Sequence, residues 1–112
     1  MIFTDSLRNN SDFKTVYKEG ISRANKLLIL YLLENNTNRN SLGISVSKKV
    51  GNSVVRHRLK RLIKESYRLH ENMFNSGLNI VVIARVGADK ADYKEIESAL
   101  LHLMRLTNVI IK

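Results

Sequence analysis

The run Leu27–Leu33, LLILYLL, constrains this chain more than any other stretch. Seven consecutive apolar residues are far short of the roughly 20 that a helix needs to cross a bilayer. Followed at once by a polar stop, they read instead as a strand. Successive strand residues point to opposite faces, so Leu27, Ile29, Tyr31 and Leu33 share one side while Leu28, Leu30 and Leu32 share the other. Neither side is polar. Both faces of the sheet must therefore be covered by something other than bulk water.

The other segments supply that cover. SLRNNSDFKTVYKEG predicts a short helix ending at Gly20, with Ser11 or Asp12 as N-cap, which brings Phe13, Val16 and Tyr17 onto one face. ISRANKLLILYLLENN reads as one strand, ENNTNRNS as a polar turn and LGISVS as a second strand. Neighbouring strands joined this way are expected to pair antiparallel. A long helix follows over Ser53–Glu71 with Asn52 or Ser53 as N-cap, then a β-branched strand LNIVVIARV. A last amphipathic helix over Asp92–Leu106 carries Tyr93, Ile96, Leu100, Leu103 and Met104 on its apolar stripe. The layout is helix, strands, helix, strand, helix, with no repeat and no low-complexity tract. Its 112 residues suffice for one core, so a single domain over residues 1–112 is expected. With no cysteine, disulfides, thiol chemistry and cysteine-ligated zinc are all excluded. The first ten residues lack the charged start and apolar core of a signal peptide, so the expected location is cytoplasmic.

Charge is concentrated in Ser47–Arg68, SKKVGNSVVRHRLKRLIKESYR. Eight cations (Lys48, Lys49, Arg56, Arg58, Lys60, Arg61, Lys64 and Arg68) face the single acid Glu65, a net of +7 within a chain whose total is +9. On a helix, Val55, Leu59, Leu62 and Ile63 fall within about 100° of arc, and Ser66, Leu69 and His70 extend that buried stripe. Arg56, His57, Lys60, Arg61, Lys64 and Arg68 fill the opposite side, with Arg58 at a border. Like charges along Arg56–Lys60–Lys64–Arg68 repel by about 0.2–0.5 kcal/mol per pair. A phosphate-rich partner relieves that repulsion by neutralisation and counterion release. A membrane would need the apolar face that the core of so small a domain requires for itself. A DNA-reading helix-turn-helix would need a second helix one short turn upstream, and none is there. The favoured partner is nucleic acid, RNA foremost.

The block LGISVSKKVGNSVVRHRLKRLIKESYR closely resembles the signature of the bacterial ribonuclease P protein family, a strand ending in SVSKK-x-GN-x-VVRNR-x-KRL that runs into a basic helix. DFKTVYKEG, ANKLLILYLL and NIVVIAR resemble the family's first helix, first strand and later strand, in order. The resemblance implies an α+β sandwich of roughly α-β-β-(β)-α-β-α order, with a mixed central sheet. It also implies a left-handed βαβ crossover, against the right-handed default. It further implies an accessory role. A catalytic RNA, with Mg²⁺ held by the RNA and its substrate, removes the 5′ leader of precursor tRNA by hydrolysing one phosphodiester bond. The protein binds that RNA and the leader. RNA binding is carried over to Lys48, Lys49, Asn52, Arg56, His57, Arg58, Lys60, Arg61, Lys64 and Arg68. A leader cleft is carried over to Phe13, Tyr17 and Tyr31, where stacking on aromatic faces tolerates any base. Two positions depart from the pattern: His57 replaces the usual asparagine, and Ser41 stands where many members carry arginine.

No catalytic site of the chain's own is expected. His57, His70 and His102 show no pairing by spacing and no acidic constellation accompanies them. There is no HExxH, and GADKAD is too short and irregular for a calcium loop. Neither a small-molecule substrate nor a membrane partner is expected. The alternative function is a structural RNA-binding protein of the ribosomal kind, which needs the basic face but not three aromatics along a groove.

Overall fold

The apolar run does form a strand covered on both faces, but Ile21–Glu34 is a hairpin and not one strand. The computed structural model describes Met1 and residues 3–109. In chain order they form β1 (Thr4–Ser6), α1 (Asn10–Glu19), β2 (Ile21–Ala24), β3 (Leu28–Glu34), β4 (Asn40–Ser45), α2 (Ser53–His70), β5 (Leu78–Ala84) and α3 (Tyr93–Leu106). Two 3-10 turns, Glu71–Met73 and Ala88–Lys90, follow α2 and β5. The hairpin bends at Asn25, whose Oδ1 accepts from the backbone N–H groups of Leu27 (3.2 Å) and Leu28 (3.0 Å). That local bond lets an Asx turn replace extended backbone.

The sheet order is β1-β4-β5-β3-β2, so β3 and β4 are not the antiparallel pair their sequence proximity predicts. β5 lies between them, antiparallel to β3 from Leu28↔Ala84 to Glu34↔Leu78 and parallel to β4. The central place goes to the strand that is apolar on both faces: Leu78, Ile80, Val81, Val82 and Ala84 are all buried. β1, which at three residues shows no period, pairs parallel with β4 at one edge. α2 makes the crossover between the adjacent parallel strands β4 and β5. The result is a mixed five-stranded sheet in a single α+β domain.

Helices cover the two faces unequally. Leu28, Leu30, Leu32, Ile80 and Val82 meet Leu59, Ile63 and Tyr67 of α2 and Ile96, Leu100, Leu103 and Met104 of α3 in the main core. On the other face α1 buries Val16 with Leu7 and Val81, flanked by half-buried Phe13, Tyr31, Leu33 and Ile83. The alternation expected of β3 is observed from Leu28 on, but Leu27 lies before the strand, in the Asn25 turn, and packs on the main core instead of sharing the side of Tyr31 and Leu33. The α2 stripe departs at its C-terminal end: Tyr67 is fully buried, and Leu69 is 53% exposed. Tyr67 is tolerated inside because its hydroxyl is satisfied, 2.9 Å from Thr4 Oγ1 and 3.2 Å from Asn40 Nδ2. Asn40 is the hub of that network. Its Nδ2 also donates to the Asn75 carbonyl (2.8 Å), and its Oδ1 accepts from Leu78 N–H (3.0 Å).

Helix ends follow local chemistry. Asn52 caps α2 by accepting from Val55 N–H at 3.0 Å. Asp92 and Glu95 form a reciprocal capping box on α3. α1 begins earlier than Ser11 or Asp12 predict, with Asn9 as N-cap. Gly20 closes α1 in extended backbone, and its need for glycine is space: a Cβ would lie 2.6 Å from the carbonyl oxygens of Leu32 and Val16.

Candidate nucleic-acid interface

α2 divides its polar residues into those open to a partner and those bound within the protein. Lys60, Arg61, Lys64 and His57 are exposed along the helix, and Lys48 and Lys49 are exposed in the turn before it. Arg56 is half-buried, and its Nε lies buried without a hydrogen-bond partner. Three expected RNA contacts have protein partners. Asn52 Oδ1 serves the helix cap. Arg58 donates to the carbonyls of Ala91 (2.8 Å) and Asp89, tying α2 to the Ala88–Lys90 turn. Arg68 pairs with Glu65 at 2.5 Å, an exposed pair that offsets part of the local charge.

The three aromatic residues lie together, but only Phe13 and Tyr17 line a groove. The Phe13 and Tyr17 ring centroids lie 6.2 Å apart, and Tyr17 meets Tyr31 edge-on at 5.0 Å. Phe13 and Tyr17 line an open groove of about 370 Å³ with Asn10, Lys14, Ile44, Ser45, Val46 and Lys60. Tyr31 is half-buried and backs Tyr17 from β3. Burial pushes the Tyr17 phenol up, and a hydrogen bond with Ser45 offsets part of that. The groove opens on the face where, among the described helices, only α1 packs, beside half-buried Ser45 at the end of β4.

A second groove, about 610 Å³, runs between β1 and α2 and shares Ile44 and Lys60 with the first. Arg8, Lys60, Arg61 and Lys64 make it cationic, with Asp5 the one acid on its lining. Lys60 thus stands where the aromatic channel meets the cationic face. Sequence reading missed Arg8, Ser45 and Gly43. The last lies directly beneath Phe13, where a Cβ would fall 2.5 Å from the ring. No local signal marks these three, because each is defined by what packs over it from another element.

The histidines stay apart, though one has an acidic partner that spacing could not show. His70 Nε2 lies 2.9 Å from Glu97 Oε2, and Tyr93 donates to the same oxygen at 3.2 Å. His102 Nδ1 lies 3.2 Å from Asn25 Nδ2. Among the described residues no three His, Asp or Glu side chains gather as a metal site, and no helix is long and apolar enough to cross a membrane.

These features define a basic α+β sandwich whose accessible chemistry is a cationic helix beside an aromatic channel. A sequence model of the family Ribonuclease P matches residues 3–108. The chain belongs to the ribonuclease P protein family. It is 56% identical over 107 residues to the ribonuclease P protein component of Lachnoclostridium phytofermentans, covering 96% of this chain and 92% of that one. The protein of the same name from Clostridium botulinum strain Langeland is 51% identical, with 94% and 96% covered. Among solved structures, the RNase P protein of Staphylococcus aureus superposes with a TM-score of 0.88 at 36% identity, covering 94% of this chain and 96% of that one. The Thermotoga maritima RNase P protein gives 0.84 at 30%, with 91% and 96% covered.

Proposed function

We propose that this chain is the accessory subunit of a cytoplasmic RNA-based endoribonuclease that removes the 5′ leader from precursor tRNA. The face of α2 docks on the catalytic RNA, and the aromatic groove takes the single-stranded leader. The observation that carries this reading is the meeting of Phe13 and Tyr17 with Lys60 in one open channel. Stacking holds bases of any sequence, and an adjacent cation neutralises the backbone that joins them. A structural RNA binder of the ribosomal kind needs the cations but gains nothing from that channel. Mg²⁺ is assigned to the RNA and its substrate, as the resemblance to the ribonuclease P protein family implies. The protein's part is to bind and orient the substrate, and hydrolysis of the phosphodiester belongs to the RNA.

Reconstitution tests the reading. Added to a bacterial ribonuclease P RNA at low Mg²⁺, the protein is expected to stimulate cleavage of a precursor tRNA, while the protein alone cleaves nothing. Absence of stimulation, with the RNA competent by itself at high Mg²⁺, would sink the assignment.

A further inference from the structure

α2 carries a third concavity, about 450 Å³, lined by Ser53, Val54, His57, Arg58 and Arg61. Positions 54, 57, 58 and 61 follow the i, i+3, i+4, i+7 pattern and so lie along one stripe of the helix. Val54 is 74% exposed, an apolar side chain amid cations. Phosphate oxygens call for donors and gain nothing from a valine. Arg58 forms part of the wall, and its guanidinium is held by the Ala91 and Asp89 carbonyls. Two of its five donors are engaged, one on each terminal nitrogen, which holds its plane, so it offers a flat surface more than a mobile phosphate ligand. His57 adds an exposed ring, and Arg61 an exposed guanidinium. None of the lining residues is acidic.

We propose that this hollow receives one unpaired nucleobase of the partner RNA, packed on Val54 and stacked against the planar groups of His57 and Arg58. Arg61 then meets an adjoining phosphate. The inference rests on the reading of α2 as an RNA-docking face, and adds that the face selects a splayed base. A paired stem keeps its bases stacked inside and shows the helix only phosphates and riboses. A bulged base presents a π-face that apolar and planar side chains can cover. His57 acts here through its ring and not its charge.

The test uses the full chain and two short RNA hairpins, one with a fully paired stem and one with a single bulged adenosine in that stem. The bulged hairpin is expected to bind about fivefold tighter or more, the range for one base stack, with the same salt slope for both. His57→Phe retains the preference. His57→Lys removes the ring and abolishes most of the preference, read as the ratio of the two affinities so that a general change in phosphate binding cancels. Val54→Ser, at an exposed position, also abolishes most of it. Equal binding of the two hairpins by the unaltered protein overturns the proposal, as does a His57→Lys variant that still prefers the bulge. Cleavage stimulation is measured separately, so the docking role can stand while the base pocket falls.

Discussion

Gly43 allows the aromatic groove to be altered without touching an aromatic residue. A Cβ at this position would fall 2.5 Å from Phe13 Cζ, 2.7 Å from Cε1 and 3.3 Å from Leu7 Cβ. Carbon atoms pack at about 3.5–4.0 Å, so Gly43→Ala requires the ring to retreat by roughly 1 Å. β4 is held by β5 on one side and β1 on the other, and the half-buried ring is the freer partner. Overpacking of this kind costs about 1–3 kcal/mol, and an open groove favours the low end. The larger effect is on function. Displacing Phe13 spoils its 6.2 Å spacing to Tyr17, and one base stack is worth about 1–3 kcal/mol. Loss of the lower part of that range reduces the preference for leader-bearing precursor over mature tRNA about five- to tenfold. Equilibrium binding of both tRNAs to the reconstituted holoenzyme measures this ratio. A double-mutant cycle sharpens it: with Phe13→Ala in place no ring remains to displace, so adding Gly43→Ala has no further effect. Additive losses, or a folded Gly43→Ala protein with the full preference, would refute the steric reasoning.

Other expectations follow from the same contacts. Asn40→Ala strands the buried Leu78 N–H and is expected to lower the unfolding free energy by about 2–3 kcal/mol in urea titrations; a loss below about 1 kcal/mol would contradict its role as hub. Lys60→Ala or Lys64→Ala should each flatten the plot of log affinity against log salt by about 0.7–0.9. Arg58→Ala should leave that slope unchanged and instead destabilise the fold, because its donors serve two carbonyls. Asp92→Ala removes the capping box and is expected to cost about 1 kcal/mol of stability by thermal unfolding. Acid titration gives a further check. The hydrogen bond from His70 holds the Glu97 carboxyl below its ordinary 4.5, and Arg39 holds Asp5 below 3.8. Depressed folded values mean stability that is full above those ordinary values and lost as pH falls through the folded ones. The urea midpoint should therefore decline below pH 4.5, and Glu97→Gln with Asp5→Asn should flatten that decline.

The ends of α2 and α3 could be read within a residue because caps and apolar stripes depend on neighbours three or four positions away. Asn52, Asp92 and Glu95 act within one turn of where they stand. The two-faced character of β3 was legible for a similar reason, since alternation needs only the strand itself. The positions of the cations were equally local. Their availability was not: Arg58 is engaged because the Ala88–Lys90 turn lies against it, some thirty residues on. Strand order also escaped local reading. β3 and β5 are apolar on both faces and β4 is half polar, and the place between β3 and β4 goes to the strand that buries most on both sides, wherever it lies in the chain. The aromatic channel shows the division best. Phe13 and Tyr17 were evident as a helical pair and Tyr31 as a strand residue, and the family resemblance implied a leader cleft there. That Phe13 covers Gly43 and that Phe13 and Tyr17 open beside Lys60 depends on α1 packing on one face of the sheet and α2 on the other. Local sequence encodes elements through short-range sterics and hydrogen bonds. The meeting of side chains from four elements is decided only when burial chooses how those elements stack.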